Sequence, residues 1–150
     1  MAMNIAALED YLHHQIPLSA AMQVAVDAAG SDSVVLSAPL EPNINHKHTA
    51  FGGSICTLGI LAAWSLVHLR LLEEGLRCEV VIQSNQMEYD LPITGRFTAA
   101  SRLPDPAIWP HVLKTLTRRK LARIEVHSDL MFEGKVAGRL SGRFVAFLQS

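Results

Sequence analysis

The chain predicts an α+β fold, a curled antiparallel sheet wrapped around one long buried helix. Residues Ser54 to about Leu72 carry no acidic residue and are apolar almost all round, which marks a helix buried on nearly every side. Strand-like segments flank it, two before and four after. Gly59, Ala62 and Ala63 keep one side of the helix thin enough for close packing on a sheet.

The elements follow in order. Asn4 can cap a first helix through His13 or His14, with Ile5, Leu8 and Leu12 at helical spacing, and Pro17 is expected to end it. Residues 22–28 alternate: Met22, Val24 and Val26 share one face, Gln23 and Asp27 the other. Ala29-Gly30-Ser31-Asp32 makes a turn, and Ser33 to Leu40 forms the second arm of a hairpin. Pro39 and Pro42 close that strand, and the buried helix ends near Gly75, a suitable C-cap. Cys78 to Tyr89 reads as a long strand, Pro92 and Gly95 as a turn, and Arg96 to Arg102 as another strand. Asp105 to Thr117 reads as an amphipathic helix that Pro110 breaks or delays. Lys120 to Phe132 and Lys135 to Leu148 are the last two strands, joined at Glu133-Gly134.

A length of 150 residues suits one domain, spanning 1–150, and 49% hydrophobic against 18% charged residues suits a filled core. The net charge of −1 supplies no global field for nucleic acid or an anionic membrane. The apolar run Ile55 to Val67 is short for a membrane span. Cys56 and Cys78 have no metal or redox spacing and read as reduced, buried thiols. The first ten residues lack the basic region of a signal peptide, so a cytoplasmic location is the default expectation.

Chemistry concentrates at Asn43-Ile44-Asn45-His46-Lys47-His48-Thr49-Ala50-Phe51-Gly52-Gly53, which runs straight into the buried helix. A helix start offers unpaired N–H groups and a partial positive charge, and paired glycines let a ligand approach the backbone. The Gly53 N–H, with Ser54 beside it, is the natural donor to a carbonyl oxygen. The glycines equally suit a tight loop-to-helix turn. Asn45 can donate an amide hydrogen to the same oxygen or to a carboxylate, but cannot deprotonate water. It can also bond its own loop, as asparagines commonly do. His46 and His48 would share a side if the segment were extended. His48, nearer the helix, is the better site candidate, though either histidine could simply hold loop carbonyls. No acid or cysteine lies nearby in metal-ligand spacing, so no metal is expected.

From roughly Pro17 to the end, the chain resembles a hotdog-fold acyl-thioester protein. The resemblance rests on Asn43 through Ser54, on Leu61-Ala62-Ala63-Trp64, and on Glu88-Tyr89-Asp90-Leu91-Pro92-Ile93-Thr94-Gly95. More narrowly, it is similar to stand-alone relatives of a bacterial thioesterase-like domain sometimes fused to an acetyltransferase. That subgroup includes malonyl-acyl carrier protein decarboxylases, which support the start of fatty-acid synthesis. The resemblance implies a homodimer or dimer of dimers with sites between subunits. It also implies a substrate carried on acyl carrier protein or CoA, whose own phosphopantetheine arm leaves no separate cofactor to expect.

Related thioesterases often place an Asp or Glu about two turns into the helix, as general base or nucleophile. Seven residues past Gly53 stands Ile60. Hydrolysis needs activated water, whereas loss of carbon dioxide from a malonyl thioester needs an acceptor for enolate charge and a dry pocket for the carboxylate. The expected activity is therefore malonyl-thioester decarboxylation, with a thioesterase or a non-catalytic acyl-thioester binding module as alternatives. The partner subunit's strand is expected to border the site in this fold, which makes Ser84 and Asn85 candidate substrate contacts, with Gln83 beside them. Cys56 and Thr57, with no adjacent base, read as packing residues. Asp90 would restore a hydrolase only by pointing inward, and a turn before Pro92 is the simpler account. Arg118, Arg119, Lys120 and Arg123, with Lys114 one turn earlier, could dock an acidic carrier protein or merely complement a helix end.

Overall fold

A computed structural model describes residues 4–150. The first three residues, part of the stretch read above for a signal peptide, lie outside the described residues. Helix α1 (Ile5–Gln15) begins as expected, with the Asn4 side chain accepting from the Ala7 N–H at 2.7 Å. Pro17 does not simply end helical structure. It opens a second short helix, α2 (Pro17–Ala21), because a first-turn proline forfeits no hydrogen bond. The first strand therefore starts late, β1 being Ala25–Ala29 with Met22 capping α2. Met22, Val24 and Val26 are nonetheless all buried, as their alternation predicted.

Strand β2 (Val34–Ala38) completes the hairpin, and helix α3 (Gly52–Glu73) starts two residues earlier than expected. Strand β3 (Cys78–Tyr89), strand β4 (Phe97–Arg102), helix α4 (Trp109–Arg119), strand β5 (Leu121–Phe132) and strand β6 (Lys135–Leu148) follow. Pro110 sits in the first turn of α4 and so delays the helix rather than breaking it. Glu133 and Gly134 both take positive φ, 49° and 77°, the twist-matched two-residue turn of a tight hairpin. Gly75, at φ 71°, lies just past α3, as a C-cap glycine should.

The six strands form one sheet, ordered β1-β2-β4-β5-β6-β3, antiparallel at every pair. The sheet curls around α3, whose Leu58, Ala62, Ala63 and Leu66 are completely buried. Gly59 lets the helix pack closely on the sheet. A Cβ there would sit 3.3 Å from both Leu130 and Leu140, and the Gly59 carbonyl accepts from the buried Ser128 hydroxyl at 2.8 Å. Both cysteines are free, but each is only half-buried, not fully buried as expected.

Strand β3 is an edge paired only with β6. Its middle, residues 81–86, is exposed on both faces. An irregularity between Ile82 and Ser84 shifts the register, so the side-chain alternation changes phase there.

His68 lies on α3 between Trp64 and Tyr11, with ring centroids 4.7 and 4.8 Å away. Its Nε2 is buried without a hydrogen-bond partner among the described residues. Burial pushes its pKa below the ordinary 6.5. Below that pH the unfolded chain takes up a proton that the folded chain resists, so stability should hold above 6.5 and fall as acid is added. Thermal melts across this range should show the decline, and His68→Phe should flatten it. An unchanged slope in the variant would remove His68 as the cause.

Candidate active site

The site is built where the loop of residues 43–51 enters α3. Phe51 occupies the cap position without a capping side chain, and the first intrahelical bond runs from the Ile55 N–H to the Phe51 carbonyl at 3.1 Å. The N–H groups of Gly52, Gly53 and Ser54 therefore precede the helical ladder and keep donor capacity. Neither glycine has positive φ, so what matters is the missing Cβ. At Gly52 a Cβ would lie 3.4 Å from the Tyr89 ring, and at Gly53 it would collide with the Phe51 ring. Tyr89 also donates its hydroxyl to the Gly52 carbonyl at 3.0 Å, and Thr57 donates to the Gly53 carbonyl at 2.7 Å. Two side chains thus fix the orientation of the first-turn peptides.

The loop is a small closed hairpin, bridged at its base between Ile44 and Ala50. Asn45 is its hub. The Oδ1 accepts from the backbone N–H of Lys47 at 2.8 Å and of Thr49 at 3.1 Å. The Nδ2 donates to the Thr49 hydroxyl at 2.8 Å and to the Ala50 carbonyl at a long 3.4 Å. The segment turns at His46-Lys47, so the two histidines are not placed side by side by an extended chain. His48 takes φ 62°, in the left-handed region, and both histidines are exposed.

Asn43 is the buried brace beneath this loop, only 2% exposed. Its Nδ2 donates to the carbonyls of Met22 at 3.0 Å and Pro39 at 2.9 Å, and its backbone carbonyl accepts from the Phe51 N–H at 2.7 Å. Its Oδ1 has no partner among the described residues. A cleft of about 360 Å³ opens here, walled by Leu18, Met22, Pro42 and Phe51, with Asn43, Gly53 and Ser54 also lining it. It offers apolar walls and helix-start donors together, which suits an acyl thioester. A larger cavity of about 480 Å³ lies at the other end of α3, around His68 and Leu72, far from those donors.

Strand β3 borders the helix start within the same chain. After the register shift, Asn85 and Tyr89 face α3, and the Cys56 thiol lies 3.6 Å from the Asn85 Oδ1. Ser84 instead sits in a shallow depression with Glu125 and Arg143, on the opposite face of the sheet. Burial raises the Cys56 thiol pKa, so the group is held as a thiol, not as a nucleophilic thiolate. Burial, with the nearby Cys56, also raises Tyr89, so its phenol stays protonated. Ile60 is half-buried against the core. Asp90 accepts from Arg139 at 3.1 Å, in an ion pair shared with Glu88. That pair holds its carboxylate away from the helix start.

A family model described as "Putative thioesterase (yiiD_Cterm)" matches residues 5–148. The chain belongs to this family. The hotdog fold follows from the solved structures it resembles. A protein of unknown function from Chlorobaculum tepidum superposes with TM-score 0.89 at 29% identity, covering 95% of this chain and 93% of that one. A structure from Shewanella oneidensis with the same thioesterase label gives 0.85 at 30% identity, covering 95% and 96%. A probable thioesterase from Pseudomonas aeruginosa gives 0.85 at 17% identity, covering 99% of each chain, a likeness of fold alone.

For a member of this thioesterase-like family, the arrangement can bind and polarise a thioester carbonyl. Tyr89, Asn43 and Phe51 were not singled out as site residues from the sequence. Tyr89 could have been found from its motif, Tyr-x-x-Pro, had the phase of β3 been known. Asn43 carried no signal beyond its place two residues before Asn45.

Proposed function

We propose that this family member decarboxylates a malonyl thioester carried on acyl carrier protein, yielding the acetyl thioester and carbon dioxide. The observation that supports this most is the chemistry at the helix start: donors and apolar walls, with Ile60 at the position of an acid and Asp90 tied to Arg139. The thioester carbonyl would rest against the Gly53 and Ser54 N–H groups. The bond between the α-carbon and the carboxylate breaks, and its electron pair moves into the carbonyl as an enolate held by those donors. Asn45 contributes the N–H that now makes its 3.4 Å contact with Ala50, the weaker of its two donations. Carbon dioxide leaves, and the α-carbon takes one proton from water or His48. The arm of the substrate supplies the phosphopantetheine, so no resident cofactor is invoked.

The family description favours a second reading, hydrolysis of the thioester by water held near Asn45 or His48. Incubation with malonyl-acyl carrier protein separates the two. Acetyl-carrier and carbon dioxide are the expected products. Free malonate with holo-carrier would overturn decarboxylation in favour of hydrolysis.

We also propose that β3 pairs with β3 of a second copy. It is a twelve-residue edge with Val81 49% and Ile82 36% exposed, a surface that a soluble protein rarely leaves open. Sedimentation should give twice the chain mass, and a monomer at micromolar concentration would remove this assembly.

A further inference from the structure

Helix α4 carries two opposed faces. Trp109, Val112 and Leu116 are buried. His111, Lys114, Thr115 and Arg118, at spacings of three and four, line a depression of about 370 Å³ with Arg119. Lys120 caps the helix in the left-handed region, and Arg123 follows on β5. Between Asp105 and Glu125 there is no acid, so this segment holds five lysines and arginines. The whole chain carries −1, so the remainder carries −6. None of the five forms an ion pair among the described residues, and all are exposed. A helix C-terminus presents about half a negative charge, which one cation would satisfy.

We infer that this face of α4 docks the acidic protein that carries the thioester, an inference that rests on the proposed reaction. The basic stripe from His111 to Arg118 spans about 10 Å, at a helical rise of roughly 1.5 Å per residue. That matches two turns of a helix bearing carboxylates at i, i+3 and i+7. The negative remainder of the chain repels extended polyanions, so a nucleic acid or an anionic bilayer is a poorer fit than a compact acidic protein. Arg70, near the end of α3, stacks on Trp109 at 4.6 Å, so α4 lies toward the C-terminal end of α3. In the β3-paired dimer, the two-fold axis turns the second α3 end for end. On that proposed pairing the second helix start would lie toward the end of the first subunit that carries α4.

The test compares wild type with Lys114→Glu/Arg118→Glu in two assays. One is calorimetric titration with holo-acyl carrier protein. The other is turnover of malonyl-acyl carrier protein and of malonyl-pantetheine, which lacks the protein. The charge reversal should weaken carrier binding at least about tenfold, with turnover of malonyl-pantetheine unchanged. Wild-type binding should weaken as salt rises. Equal carrier binding by both proteins, or no binding by wild type, overturns the docking face. Equal loss on both substrates also overturns it, by assigning the patch a structural role. Failure of the reaction itself is seen separately, as wild type turning over neither substrate while binding the carrier.

Discussion

Asn45→Ala should lower turnover of the malonyl thioester about 10²-fold, the usual cost of one lost donor to a developing oxyanion. The substitution also removes four contacts inside the loop, two accepted and two donated. Loop bracing and substrate contact must therefore be separated. Thr49→Val removes the 2.8 Å partner of Nδ2 and leaves the amide in place. If Asn45 polarises the substrate, Thr49→Val should cost no more than about threefold while Asn45→Ala costs about 10²-fold. If the two variants fall together, Asn45 serves only to shape the loop. The loss in Asn45→Ala should appear in kcat more than in KM, because an enolate is stabilised only as the bond breaks.

Asn43→Ala should destabilise the fold by about 2–4 kcal/mol, two carbonyls being left without their buried donor. Met22 caps α2 and Pro39 ends the β2 segment, so both loosen when Nδ2 is removed. A domain of this size loses roughly 2–4 °C per kcal/mol, so a melting point about 4–16 °C lower is expected. Asn43→Asp should be no better, since a carboxylate would face the same two carbonyls without a proton to give. A melting point within a degree or two of wild type would mean water takes over both carbonyls and Asn43 braces nothing.

Much of this architecture was legible because it depends on period. The apolar run of α3 has no polar face to misread, and Glu133-Gly134 and Gly75 stand where backbones with positive φ are needed. Pro17 misled because a proline both ends one helix and starts another, and only packing decides which. The irregularity at Ile82–Ser84 has no signature in side-chain type, yet it exchanges the faces of Ser84 and Asn85. The loop was read as a candidate site before its wiring could be known. Which atoms Asn45 bonds, and that Asn43 is the buried one, depend on a turn only a few residues long.

The order of the sheet also has a consequence in time. Helix α3 is complete at Glu73, but its covering strands β3 to β6 end only at Leu148, about 75 residues later. At roughly 5–20 residues per second, the finished helix waits on the order of 4–15 s for its cover. During that wait it is a 22-residue helix whose most apolar 18-residue window has mean hydropathy 1.8, enough by length and composition alone to cross a bilayer. The same helix that forms the core of the finished protein is, on the ribosome, an apolar segment made well before the strands that cover it.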